Sequence, residues 1–308
     1  MRLFVIGQAA FGEQALARLL EKGHQVIGVS APPHPAGGRP EPLRALAEKH
    51  SLPVITTRDL KRKESFDAYA ALRPELNVMV FVTDILPVNV LEHPPLKTIQ
   101  YHPSLLPRHR GASAMNWPII QGESKTGLSI FWPDRGIDTG PLLLQREVEI
   151  TADETLGSLY FNKLFPMGVD AIEESVRLVA ERRAPRTVQD ETGATYEPIC
   201  TPEHAQIDWS KPAHAVYNLI RGCNPQPGSH TTFRGQRLSI FDSRLLGSRP
   251  GTHPGQVLGV EGNDLLVGLH GGLLAIQRVQ RPGAAKVKAP DFAVAEGVKL
   301  GEMFGGLA

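Results

Sequence analysis

Residues 76–82 read Leu76-Asn77-Val78-Met79-Val80-Phe81-Val82, an almost unbroken run of apolar, strand-forming side chains. A strand that is apolar on both faces has to be covered on both, which is the condition of a central strand in a parallel sheet flanked by helices. Upstream, short β-rich runs at residues 3–7, 25–30 and 54–57 alternate with helix-like stretches at 13–21 and 42–50. That alternation builds βαβ units, so residues 76–82 are expected at the centre of a doubly wound α/β sheet. Downstream, Leu156, Leu159, Tyr160, Leu164, Val169, Ile172, Val176 and Val179 recur mostly at helical spacing, with a break expected at Pro166. A long amphipathic helix over 155–183 then closes a first domain of residues 1–184.

Past that helix the texture changes. Residues 185–206 are polar, carry Pro185, Gly193, Pro198 and Pro202, and sustain neither a helical nor a strand period, so they read as an interdomain linker. After one helix near 212–221, short strand-like runs at 237–243, 255–260, 264–268 and 273–279 are separated by Gly, Pro and Asn. This spacing predicts a small all-β barrel or sandwich over 207–308.

Hydrophobic residues make up 41% and charged residues 21% of the 308, ordinary globular values that exclude disorder, collagen and coiled coil. The formal net charge of +1 removes the global positive charge typical of nucleic-acid binders and makes small-molecule chemistry the expectation. Cys200 and Cys223 are the only cysteines, too few for a disulfide framework or a four-cysteine zinc site, so two reduced thiols and no metal are expected. No apolar stretch approaches the roughly 18 residues of a membrane span, so no membrane association and a cytoplasmic location are expected.

A doubly wound sheet invites a dinucleotide, but the first strand is followed by Gly7-Gln8-Ala9-Ala10-Phe11-Gly12, which lacks both the G-x-G-x-x-G fingerprint and the Lys-Ser/Thr of a P-loop. Gly7 and Gly12 read as a tight strand-to-helix turn. The densest chemical segment is Gln100-Tyr101-His102-Pro103-Ser104-Leu105-Leu106-Pro107-Arg108-His109-Arg110-Gly111. If residues 97–102 form a strand, period-two geometry puts Gln100 and His102 on one face, at the carboxyl end where open α/β sheets bind ligands. A second polar cluster, Asp134-Arg135-Gly136-Ile137-Asp138-Thr139-Gly140, follows the strand-like run 128–132 and offers Asp138 as a partner for the imidazole. A carboxylate there favours the protonated ring and fixes its tautomer, as a general base near neutral pH requires.

These residues carry a resemblance. The chain resembles the folate-dependent formyltransferases, whose pattern Asn-x-His-x-Ser-Leu-Leu-Pro-x-x-Arg-Gly with a later Asp-Thr-Gly is met here by His102, Ser104-Leu105-Leu106-Pro107, Arg110-Gly111 and Asp138-Thr139-Gly140. It is most similar to the branch represented by the N-terminal hydrolase domain of 10-formyltetrahydrofolate dehydrogenase, through residues 101–114, Ser129-Ile130-Phe131-Trp132 and Gly193-Ala194-Thr195-Tyr196-Glu197. The likeness runs nearly end to end, including Ile220-Arg221-Gly222 and Pro227-Gly228. It implies a Rossmann-like formyltransferase domain with a mostly parallel sheet, followed by a small OB-like β-barrel domain. It also implies 10-formyltetrahydrofolate as substrate or formyl donor, with no metal and no NAD(P).

Carried over by residue, the resemblance makes His102 the proton acceptor at the formyl carbon and Asp138 its orienting carboxylate. Gln100 stands where the transferases have Asn, a donor to the developing oxyanion; the hydrolase branch carries an apolar residue there, so departure from Asn leans toward hydrolysis. The loop Phe81-Val82-Thr83-Asp84-Ile85-Leu86-Pro87 matches the pterin-holding loop, with Asp84, Ile85 and Leu86 acting mostly through main chain. Gly140 is expected at the substrate. Arg110 either contacts the ligand or ties its loop to a carboxylate. His109 reads as an exposed neighbour, Ser104 as a loop cap because it lacks a G-x-S-x-G elbow, and Trp117 and Trp132 as core or pocket wall.

The leading expectation is hydrolysis of 10-formyltetrahydrofolate to formate and tetrahydrofolate. The alternative is formyl transfer to an amine, on methionyl-tRNA or a nucleotide sugar; the non-enzymatic one is a folate-binding subunit working with an unidentified partner protein. Transfer RNA is disfavoured, because the loop 31–41 offers only Arg39, offset by Glu41, and residues 185–308 hold 12 Lys/Arg against 11 Asp/Glu.

Overall fold

In the computed structural model, residues 1–305 are described. The chain divides into two compact units: residues 1–114, 127–148 and 161–197 form one, and residues 115–126, 149–160 and 198 onward the other.

The first unit begins β1 (Arg2–Gly7), α1 (Ala9–Glu21), β2 (Gln25–Ala31), α2 (Pro42–Lys49), β3 (Val54–Thr56), α3 (Lys63–Ala71), β4 (Leu76–Val80), α4 (Val88–Glu92) and β5 (Thr98–His102). After α5 (Asn116–Ile120) of the second unit come β6 (Lys125–Phe131) and β7 (Leu142–Glu149). The seven strands lie in the order β3-β2-β1-β4-β5-β6-β7. Pairing is parallel from β3 through β5 and turns antiparallel between β5 and β6. The strand read as central is the fourth of seven, with all five residues buried. The strand period splits the core into two layers. Leu3, Val5, Val78, Val80, Ile99 and Tyr101 share one cluster with α1 and the later α7 (Phe165–Ala180), while Phe4, Ile6 and Met79 pack with Leu60, Tyr69 and Val90 in another. Gln100 and His102 alternate with Ile99 and Tyr101 and so face away from the first layer.

Gly7 is explained by this packing, since a Cβ there would lie 2.3 Å from the carbonyl oxygen of Val80. The N-terminus of α1, the place where α/β folds commonly seat a phosphate, receives a carboxylate from the chain itself. Ala9 N–H donates to Glu41 Oε1 at 2.5 Å, and the other oxygen, Oε2, caps α2 through Arg44 N–H at 2.6 Å. Glu41 is 8% exposed, so its charge belongs to two helix termini and not to a surface balance with Arg39.

The expected helix over 155–183 is interrupted: α6 (Leu156–Leu159) is followed by a π-helical turn, Tyr160–Leu164, before α7 with Pro166 in its first turn. Proline has no N–H to give and is tolerated only there. The units change at residue 160, inside the stretch read as one helix.

The segment 185–206 also departs from its reading as a linker. Residues through Glu197 cluster with the first unit, where Thr187 exchanges backbone hydrogen bonds with Leu142 at 2.7 and 2.9 Å and Arg110 bridges to Tyr196. Residues from Pro198 cluster with the second unit, where Ile207 N–H donates to His230 O at 2.8 Å. Its backbone hydrogen bonds form isolated bridges instead of a continuous ladder, which is why no period showed.

The second unit contains α8 (Ala213–Gly222), which packs on α5, and two antiparallel sheets. These are built from β8 (Ser229–Phe233), β9 (Gln236–Ile240), β10 (Ser243–Leu246), β11 (Val257–Glu261), β12 (Asp264–Leu269), β13 (Gly272–Ile276), β14 (Arg278–Gln280) and β15 (Val287–Lys288), with α9 (Ala289–Ala295) beyond. One sheet runs β10-β13-β12-β11 and the other β15-β14-β9-β8, which is the antiparallel β-rich domain that was expected. Cys200 and Cys223 are buried with their sulfurs 3.8 Å apart; the Cys223 thiol is pushed up by its hydrogen bond with Cys200 and by burial. Among the described residues, no helix is long and apolar enough to cross a membrane.

Candidate functional site

His102 ends β5, opposite Ser129 on β6, and is 5% exposed. Its Nε2 lies 2.8 Å from the carbonyl oxygen of His109. A carbonyl only accepts, so Nε2 carries the proton and Nδ1 is left to receive one. Nδ1 is 3.5 Å from Asp138 Oδ2, a charge-pair distance longer than a good hydrogen bond. The tautomer is therefore set by the His109 backbone, while Asp138 faces the nitrogen that can take a proton. Asp138 is 9% exposed, holds φ at +57°, and its Oδ2 accepts from Gly111 N–H at 2.8 Å.

The loop between them is built from the inside. Ser104 Oγ donates to Arg108 O at 2.7 Å, the cap expected of it. Ser129 Oγ donates to Ser104 O at 2.7 Å and accepts from Leu106 N–H at 3.1 Å, and Gln145 Nε2 donates to Leu106 O at 2.8 Å. His109 is 2% exposed, not the exposed neighbour expected, and its Nδ1 lies 3.1 Å from Glu197 Oε1. Burying that ring requires a partner, and the carboxylate arrives from a segment far along the chain.

Arg110 resolves its two readings in geometry. Its side chain has no exposure, and its donors go to Gln189 Oε1 at 3.3 and 2.8 Å, Glu191 at 3.0 and 2.6 Å, and Tyr196 Oη at 2.6 Å. All five N–H groups of a guanidinium are thereby engaged, so it ties its loop and has none left for a ligand. Glu191 holds Arg110 more firmly protonated, and Arg110 in turn holds the Glu191 carboxyl below the usual carboxylate range.

Gln100 is half-buried beside Met79 and Phe131, and among the described residues no protein group bonds its amide. The loop at 81–87 leaves β4 next to β5, one strand over from His102. Ile85 is 79% exposed and Leu86 is 7% exposed in the core, with Asp84 between these extremes. Among the described residues, no protein group takes the backbone N–H groups of Asp84, Ile85 or Leu86. Gly140 sits where a Cβ would be 1.8 Å from Trp132 O, and its own carbonyl accepts from Gln189. Trp132 is core, with Arg186 over its ring at 3.8 Å.

Residue-by-residue reading missed Gln145, Gln189 and Glu191. Thr195, Tyr196 and Glu197 had surfaced only as part of a resembling motif, although Thr195 Oγ1 accepts from His109 N–H at 2.8 Å.

With this geometry in view, comparison with known proteins decides the family. A family described as formyl transferase matches residues 1–166, and one described as formyl transferase, C-terminal domain, matches residues 200–296. The chain belongs to the formyl transferase family. It is 40% identical over 305 residues to the mitochondrial 10-formyltetrahydrofolate dehydrogenase of Mus musculus, covering 95% of this chain and 33% of that protein. The chain thus spans about a third of the length of that relative. It is 33% identical over 310 residues to the methionyl-tRNA formyltransferase of Alkaliphilus oremlandii, covering 99% of this chain and 100% of the relative. Among solved structures, the HypX protein of Aquifex aeolicus in complex with tetrahydrofolic acid superposes with a TM-score of 0.72 at 19% identity, over 98% of this chain and 48% of that one, a likeness of fold. Members of the formyl transferase family are enzymes, and in this chain His102 stands at the end of β5 with its Nδ1 3.5 Å from Asp138 Oδ2.

Proposed function

We propose that this chain binds 10-formyltetrahydrofolate and transfers its formyl group to water, releasing formate and tetrahydrofolate. The observation that carries the reading is the imidazole of His102, pinned through Nε2 with Nδ1 turned to Asp138 Oδ2 at 3.5 Å. Water attacks the formyl carbon, and its proton goes to His102 Nδ1, where the imidazolium N–H meets the Asp138 carboxylate. Charge gathers on the formyl oxygen, within the reach proposed for the uncommitted Gln100 amide. The bond from carbon to N10 then breaks as the His102 imidazolium returns its proton to N10, and the formic acid formed gives its hydroxyl proton to solvent and leaves as formate. The main chain of Asp84, Ile85 and Leu86 holds the pterin. Hydrolysis is favoured over transfer by the sequence likeness to 10-formyltetrahydrofolate dehydrogenases and by Gln100 in place of Asn.

A second reading is transfer to an amine, supported by full-length likeness to a methionyl-tRNA formyltransferase. One assay separates them: formate and tetrahydrofolate release from 10-formyltetrahydrofolate by the purified protein alone, with His102→Ala and Asp138→Asn as controls. Release that falls on the order of 10²-fold in either variant, with folate affinity within about threefold, supports hydrolysis. Normal turnover by His102→Ala sinks the mechanism, and tight folate binding without release moves the acceptor from water to an amine or to a partner protein.

A further inference from the structure

We infer that Gln189 is a positioning residue for Asp138 and, through Asp138, for His102. Gln189 is 4% exposed. Nε2 donates to the carbonyl oxygens of Asp138 at 2.8 Å and Gly140 at 2.7 Å, while Oε1 accepts from Arg110 Nε at 3.3 Å and Nη2 at 2.8 Å. The two carbonyls only accept and the guanidinium only donates, so the amide fits one way round. The Asp138 backbone has φ of +57°, the left-handed region, which Asp enters more readily than most side-chain-bearing residues. Gln189 grips that backbone from one side, and Gly111 N–H grips the carboxylate from the other. Gly111 follows Arg110, which Gln189 also holds. One amide therefore fixes both loops that meet at His102, and it comes from residues 167–199, which neither family description covers.

The catalytic consequence rests on the function proposed above; the structural one does not. Two substitutions in the full chain test both. Gln189→Glu keeps an acceptor for Arg110 but sets a carboxylate oxygen against the two carbonyl oxygens, whereas Gln189→Met removes both sets of bonds with little change of shape. A residue that merely tied down Arg110 would be preserved in Gln189→Glu; a residue that positions Asp138 is lost in both. The ligand-free readout is hydrogen exchange of the Gly111 amide, which reports on the Asp138 carboxylate. The catalytic readout is kcat against KM for 10-formyltetrahydrofolate, with circular dichroism melting to establish folding. Expected are faster Gly111 exchange in both variants and a fall in kcat of about tenfold or more with KM within about threefold, as small misplacements of a reacting group produce. Wild-type Gly111 protection and wild-type kcat in Gln189→Glu overturn the proposal, and this variant alone decides if Gln189→Met does not fold. If the wild-type protein releases no formate, the functional reading falls while the exchange measurement still decides the role of Gln189.

Discussion

A Cβ on residue 140 would stand 1.8 Å from the carbonyl oxygen of Trp132 and 3.4 Å from the backbone nitrogen of Asp134. Both neighbours are main chain and cannot swing aside, so Gly140→Ala is expected to destabilise the protein by roughly 1–3 kcal/mol through overpacking, read as a lowered melting temperature, and to disturb the Gln189 bond that fixes Asp138. The close approach accounts for this glycine whether or not a substrate touches it. At this scale the residues legible in the sequence are those whose spacing is local: His102 and Gln100 follow from strand period, and Asp138 from its place after the next strand. Arg110 stayed ambiguous because its partners lie 79, 81 and 86 residues away. His109 was misjudged for the same reason, since Glu197 is remote in sequence and nothing local signals that the ring is buried.

Among elements, the central strand was legible because a parallel strand covered on both faces writes itself as an unbroken apolar run. Strand β7 was not foreseen; its burial falls away along Leu142–Glu149 and its polar residues Gln145-Arg146-Glu147 break any apolar run. The segment 185–197 was illegible because its stabilisation is polar and pairwise. That has a measurable pH dependence. The folded-state carboxyl of Glu191 is held below its ordinary value of 4.5 by Arg110, so the stabilisation it supplies is present above that value and is lost as pH falls through the lowered one. Wild-type protein should melt above Glu191→Gln at neutral pH, and the difference should shrink toward zero in acid. Because the Glu191 side chain is 66% exposed, the difference should also diminish in high salt. A gap that grows on acidification would refute the assignment.

For the whole molecule, texture located a change of character after residue 184 but not the way the units are assembled. The chain passes from one unit to the other after residues 114, 126, 148, 160 and 197. Local periodicity records what a segment is, and says little about which partner a short helix chooses. Within the second unit, Asn116 Nδ2 on α5 donates to Gly222 O at the end of α8, and Ile120 fills the space beside Gly222 that lacks a side chain. A fragment of residues 1–197 keeps α5 and α6 while losing α8 and the sheets they belong with, so it is expected to show no cooperative melt in calorimetry despite containing His102, Asp138 and Gln189. A sharp two-state transition in that fragment would contradict this reading of the units.

The same weave bears on descent. A single recombination crossover exchanges one continuous stretch of a gene, and no single crossover in this chain exchanges either unit whole, because each is spread over three separate stretches. A graft after residue 197 would leave behind two short segments of the old second unit, 115–126 and 149–160, and a graft placed before them would carry parts of the first unit along with it. Trading one unit whole for another in such a chain therefore takes several crossovers, whereas substitution within loops takes none.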